Sequence, residues 1–190
     1  TGTITEYTGE SYRLDVPETI DGVSVRTIGA NAFNGNWNLI YLTLPEGLTA
    51  IEDGAFESAY QLSFVEFPST LRTIGNRAFY NYRGGKLMLP EGLERIGDEA
   101  FYRYSVRGTL ELPEGLKEIG DSAFARSIFM RTLDLPSTLE IIGEHAFEDV
   151  SLSYVYMDGL TPPKVAKTAF AECTSLADIE LNEYCTKQQM

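Results

Sequence analysis

The side chains best placed to do chemistry are five carboxylates, Asp15, Glu66, Glu111, Asp134 and Glu180, each in the middle of an apolar-x-apolar triplet. If successive triplets are neighbouring strands, these middle residues form one outward column, joined by Thr43, Met88 and Tyr156. Glu111 and Asp134 then stand roughly 5 Å apart. Two carboxyl groups at that spacing can couple their titrations, hold a hard cation or act as the acid and nucleophile of a retaining glycosidase. The competing reading is a solvated acidic face. A shallow sheet surface offers no evident water-excluding pocket, and the spacing is generated by the repeat itself, so hydrolysis stands here only as a contrast. The lone histidine, His145, occupies a slot that elsewhere holds Asn31, Gly54, Arg77, Glu99, Ser122 and Thr168. A slot that accepts all of these is expected to be solvated, with no catalytic or metal role. Two cysteines and one histidine do not make a zinc site. Cys173 reads as a small buried thiol, and a bridge to Cys185 stays open as the alternative. No metal, cofactor or catalytic set is expected.

The elements that must position these residues recur. Ala-Phe pairs end at Phe33, Phe56, Phe79, Phe101, Phe124, Phe147 and Phe170, 22 or 23 residues apart. Four residues before each Ala stands a β-branched residue (Ile28, Ile51, Ile74, Ile96, Ile119, Ile142, Val165), usually followed by Gly. The triplets Leu42-Thr43-Leu44, Val65-Glu66-Phe67, Leu87-Met88-Leu89, Leu110-Glu111-Leu112 and Leu133-Asp134-Leu135 each run into a Pro. A fixed period in this range with this leucine pattern predicts a leucine-rich repeat solenoid. Its parallel concave sheet has about eight short strands, and short strands, turns and 3-10 segments make the convex side. The phenylalanines stack into a continuous spine. One elongated domain spans 1–190: a cap and entry repeat over 1–27, regular repeats over 28–170, and a half repeat with a tail over 171–190. The cap contains Asp21-Gly22 between Ile20 and Val23, the pattern of a tight hairpin. The glycine after each β-branched residue points to a backbone shape that glycine adopts most easily.

A second outward column reads Arg13, Tyr41, Phe64, Lys86, Thr109, Thr132, Tyr154, Asp178. Exposed aromatics are what interfaces enrich and what sugars stack on; equally, neighbouring rings stiffen a sheet by packing on each other. Tyr41, Phe64, Tyr154 and Tyr156 are the candidate anchors of a partner-binding face, with Glu66, Glu111 and Asp134 supplying polarity and Met88 completing the column. Trp37, Tyr60, Tyr80, Tyr82, Tyr102 and Tyr104 follow the phenylalanines and suit core-edge packing, with Trp37 open to either reading. The net charge of −13 opposes binding to phosphate backbones and anionic lipid. No apolar run of membrane-spanning length exists, so neither nucleic acid nor membrane insertion is expected.

Repeats of the form Leu110-Glu-Leu-Pro-Glu-Gly-Leu-Lys-Glu-Ile-Gly-Asp-Ser-Ala-Phe124 resemble the BspA-like leucine-rich repeats of bacterial surface proteins. The phrase from Pro17 to Gly29 is similar to their entry repeat. The strand is not followed by the usual Asn, so no asparagine ladder is expected. The resemblance implies a secreted or surface-exposed bacterial protein, its signal peptide removed, that adheres to a protein partner (host matrix or microbial surface) or a glycan. A monomer is expected. The alternative is a spacer or recognition segment of a larger secreted protein.

Overall fold

The computed structural model describes residues 2–105, 109–128, 131–157, 159 and 161–181. The chain coils as a β-solenoid in which each turn, 24 residues for the first and 22 or 23 thereafter, contributes one strand to a continuous parallel sheet. That sheet has eight strands: Thr3–Ile4, Thr27–Ile28, Ala50–Ile51, Thr73–Ile74, Arg95–Ile96, Glu118–Ile119, Ile141–Ile142 and Lys164–Val165. Its register follows the repeat, with Ile28 beside Ile51, Ile51 beside Ile74 and Ile96 beside Ile119. Side chains alternate along a strand, so the second residue of each of these strands from Ile28 to Ile142 is buried while its predecessor is more exposed.

The leucine-rich solenoid is therefore as expected, but the continuous sheet lies on the β-branched side and not on the triplet side. The triplets form two three-stranded parallel sheets. One joins Arg13–Asp15, Tyr41–Thr43 and Phe64–Glu66, and the other joins Thr132–Leu135, Tyr154–Met157 and Asp178–Leu181. Between them, among the described residues, isolated bridges keep the register: Met88 to Glu111 within the triplets and Ser105 to Ile128 ahead of them. The gap coincides with two large residues three places after the phenylalanine. Tyr82 and Tyr104 sit where other turns have Ala59, Ser127 and Val150, and both are buried. Tyr104 Oη donates to the Gly85 carbonyl at 3.0 Å and accepts the Leu87 N–H at 2.9 Å. Backbone groups at the entrance to that triplet thus bond to a phenol.

The spine forms as the spacing demands. Phe33, Phe56, Phe79, Phe101, Phe124, Phe147 and Phe170 stack with ring centroids 4.8 to 5.6 Å apart. Tyr7, which the repeat pattern does not reveal, extends it by one ring at 4.9 Å from Phe33. Thr3–Ile4 and Tyr7 thus belong to a solenoid turn that the repeat pattern does not show. The hairpin at Asp21-Gly22 is present, pairing Thr19–Ile20 with Val23–Ser24 in antiparallel register, and both turn residues are left-handed (φ 51° and 77°).

The Ala-Phe segment is a run of turns, with no 3-10 helix among the described residues. Its backbone alternates into the left-handed region at two positions per repeat. One precedes the Ala (Asn31, Gly54, Arg77, Glu99, Ser122, His145), and the other lies two residues after the Phe (Gly35, Ser58, Asn81, Arg103, Arg126, Asp149, Glu172). This alternation aims amides forward along the solenoid: the N–H of Phe56 donates to Ala78 and that of Phe101 to Ala123, each at 2.8 Å. In the isoleucine strands the amides point back, as when Gly75 donates to Ile51 at 2.7 Å. His145 owes its slot to this backbone shape. Its side chain is partly exposed, as expected, and Nδ1 lies 3.2 Å from Glu148 Oε2 without hydrogen-bond geometry.

The glycines after the isoleucines are not in the left-handed region, so the reason expected for them is incorrect. They clear space between turns. A Cβ at Gly75 would meet Asp53 Oδ1 at 2.6 Å and Asp53 N at 2.7 Å, and Gly97, Gly120 and Gly143 stand in the same relation to Asn76, Asp98 and Asp121. The side chains they admit form a ladder. Asp53 accepts the Asn76 N–H, Asn76 that of Asp98, Asp98 that of Asp121, and Asp121 that of Glu144, at 2.7 to 2.9 Å. An Asx ladder does exist, placed after the isoleucine strand instead of after the triplet. Glu52 and Ala166 replace the glycine in the two turns that follow Ala30 and Glu144, neither of which is an Asp or Asn.

Candidate binding surface

On the triplet face the two outward columns stand as the alternation requires. Arg13, Tyr41 and Phe64 are in register, as are Asp15, Thr43 and Glu66. At the other end Thr132, Tyr154 and Asp178 align, as do Asp134, Tyr156 and Glu180. The interior residues Leu42, Val65, Leu133 and Val155 are buried beneath them, so rigid, packed strands carry the outward side chains.

Two aromatic pairs result. Tyr41 and Phe64 are 46 % and 48 % exposed, with ring centroids 6.5 Å apart and planes tilted by 48°. Tyr154 and Tyr156 lie 6.4 Å apart and nearly parallel, with Tyr154 42 % exposed. Each pair packs on itself; Tyr41, Phe64 and Tyr154 remain largely exposed, whereas Tyr156 is only partly so. Met88, 57 % exposed, is the apolar side chain between the two sheets. Two further exposed aromatics lie near the N-terminal end: Trp37, left open above, is 75 % exposed, and Tyr12 is 65 % exposed. Tyr12 escaped the sequence reading because no repeat consensus marks its position.

The carboxylates are less uniform than a column suggests. Asp15 is held below the ordinary carboxylate range by the Thr43 hydroxyl and then by the Arg13 guanidinium. Glu66 and Asp134 are exposed. Glu111 is taken by Lys86, whose Nζ lies 2.7 Å from Oε1. Glu111 and Asp134 do meet in one groove of about 310 Å³, lined also by Thr109, Leu110, Leu112 and Thr132. Among the described residues no strand ladder joins them, since Thr132–Leu135 is the edge strand of its sheet. The 5 Å spacing that a continuous sheet would impose is therefore not enforced here. Among the described residues, no three of His, Cys, Asp and Glu converge in a metal-holding group. The Cys173 thiol is half-buried and hydrogen-bonds to the Phe147 carbonyl at 3.0 Å; burial pushes its pKa up. Cys185 lies outside the described residues.

Within the second aromatic group Tyr60, expected to pack at the core edge, is instead 52 % exposed, and the remaining tyrosines divide in two. Tyr82 and Tyr104 are core residues stacked at 5.9 Å, while Tyr80 and Tyr102 stack at 5.0 Å on the rim, with the Arg77 guanidinium 4.0 Å above Tyr80. Arg77 is clamped between Glu57 and Glu99, and its hydrogen bond to Glu57 raises its pKa further.

The family model described as a BspA type leucine rich repeat region matches residues 26–153 and 95–189 of this chain, with six copies. Among solved structures, a leucine rich cell surface protein from Faecalibacterium prausnitzii A2-165 is similar at 26 % identity and a TM-score of 0.74. That match covers 94 % of this chain and 50 % of the other, so this chain spans half of that protein's length. The T. pallidum leucine rich repeat protein shares the fold at 24 % identity and a TM-score of 0.57, over 93 % of this chain and 72 % of that one. Among curated proteins none matches in sequence.

Proposed function

The chain belongs to the BspA-type leucine-rich repeat family, and from that premise we propose that it is a non-enzymatic binding module displayed by a bacterial surface or secreted protein. The observation that carries this reading is two aromatic pairs that reach solvent, Tyr41 with Phe64 and Tyr154 with the less exposed Tyr156, on strands whose inward residues are buried. Preorganised rings lose little conformational entropy on contact, and large aromatics dominate interface energetics. The partner is a protein of host matrix or microbial surface, or a glycan. Tyr41, Phe64, Tyr154 and Tyr156 act as anchors, Met88 as an apolar contact between them, and Glu66, Glu111 and Asp134 as the polar surround. The similar cell-surface protein of F. prausnitzii supports a surface location.

The test is binding of the chain and of its Tyr41→Ala/Phe64→Ala double variant to immobilised matrix proteins and to a glycan array. Loss of two central anchors should weaken binding by at least about tenfold, equivalent to about 1.4 kcal/mol. Unchanged affinity in a folded double variant removes these residues as anchors, and the absence of any ligand favours a spacer.

A further inference from the structure

Away from the triplet face, three arginines line one open groove on the Ala-Phe side. Arg83, Arg103 and Arg126, with Ser105 and Ile128, surround about 370 Å³. Most other described cations near the middle of the solenoid are engaged: Arg77 by Glu57 and Glu99, Lys86 by Glu111, Arg95 by Glu118 and Lys117 by Glu94. Arg72 donates to the carbonyls of Ser69, Leu71 and Gly92. The three groove arginines are exposed and form no ion pair with another described residue. Of the nearby acids, Glu99 is paired with Arg77, Glu148 lies 3.2 Å from His145, and the exposed Asp149 follows Arg126 in the same left-handed column without an ion pair to another described residue. Arg103 and Arg126 occupy the left-handed position two residues after the phenylalanine (φ 59° and 56°), and their amides are fixed by Ala125 and Glu148 carbonyls of the next turn. Their stems therefore start from a rigid ladder about one strand spacing, 4.7 to 4.9 Å, apart.

We infer that this groove is a second binding site, for an anionic polysaccharide whose sulfate or carboxylate groups recur along its length. Guanidinium forks match planar and tetrahedral oxyanions with paired hydrogen bonds. The overall charge of −13 does not cancel a local cluster, because fields are screened beyond about 8 Å at physiological salt. Ile128, 65 % exposed, gives the groove an apolar wall for the C–H face of a pyranose. An acidic peptide is the competing ligand of the same charge.

The experiment measures binding of the chain to dextran sulfate, polygalacturonate, neutral dextran and poly-L-glutamate at low and physiological salt. The triple variant Arg83→Gln/Arg103→Asn/Arg126→Asn is the probe, since Asn81 already occupies the same left-handed column. A control of equal charge change, Arg26→Gln/Lys164→Gln/Lys167→Gln, removes cations elsewhere. The sulfated or the carboxylated polymer should bind, neutral dextran should not, and binding should weaken with salt. The triple variant should lose at least about tenfold in affinity with its thermal midpoint retained, and the control should lose little. Which of the two polymers binds identifies the anionic group. Failure of both polymers to bind, equal loss in the control, or equal binding of poly-L-glutamate overturns the assignment; the last would give the groove to acidic peptides.

Discussion

Two phenols, Tyr82 and Tyr104, show how single residues change this repeat. Their burial favours the neutral form, which raises both pKa values, that of Tyr104 to about 12. An unfolded tyrosine ionises near 10, so the stability they lend is fully present below about pH 10 and is lost as pH rises through the folded value. Among the described residues the Tyr82 hydroxyl forms no hydrogen bond, whereas that of Tyr104 forms two. Tyr82→Phe should therefore be near neutral at pH 7 and should raise the thermal midpoint at pH 11. Tyr104→Phe should cost about 1–3 kcal/mol at pH 7, because it strands the Leu87 N–H and the Gly85 carbonyl. Ultraviolet titration of phenolate and melting curves at the two pH values check both. The sign reverses for Glu46, held low by the Ser69 N–H and hydroxyl. Its contribution is present above the ordinary carboxylate pKa and fades as pH falls through the lowered one.

At the scale of the element, successive turns are matched to each other. Corners alternate so that Glu46 receives the Ser69 N–H and hydroxyl and Glu114 receives those of Ser137, at 2.9 to 3.0 Å. On the opposite side the Asx ladder needs a glycine in the following turn. Gly120→Ala would bring a Cβ to 2.7 Å from Asp98 N and crowd the Asp98 carboxylate. The expected loss is about 1–3 kcal/mol, from strain and from the Asp121 N–H left without its acceptor. Asp98→Ala in the same chain should recover part of it, since Ala166 already follows Glu144 in the natural sequence. Urea denaturation of the two single variants and the double variant measures the coupling. Absence of coupling would mean that the glycine serves another end. This pairing was legible in the chain as an exchange between Gly and its partner one turn earlier. It does not show within any one turn, because the two partners belong to successive turns.

For the whole molecule, the spine is the common core. Phe101 is fully buried, with ring neighbours at 5.3 and 5.4 Å on either side, whereas Phe170 is half-buried at the last described stack. Phe101→Ala should cost about 3–5 kcal/mol, and Phe170→Ala clearly less. In a one-dimensional array a weak central interface also uncouples the two halves, so the Phe101 variant should melt more broadly, or in two steps, than the natural chain when both are followed by circular dichroism. A single transition of unchanged steepness would show that the isoleucine sheet alone carries the coupling. The two candidate binding regions sit on different parts of this rigid coil, which is why each can be tested without disturbing the other.

What the sequence determined by itself was whatever the period controls: the coil, the inward isoleucines and leucines, the stacked phenylalanines and the outward parity of Tyr41, Phe64, Glu66, Met88, Glu111, Asp134, Tyr154 and Tyr156. A repeat of 22 or 23 residues leaves each of these one geometric solution. Only the tertiary structure decided which face keeps an unbroken sheet, that Glu111 turns to Lys86, and that Arg83, Arg103 and Arg126 share a groove. Those outcomes depend on packing between turns, where a bulky Tyr82 or Tyr104 competes with strand hydrogen bonding, and on the direction that a left-handed backbone gives a side chain. Neither is a property of spacing along the chain.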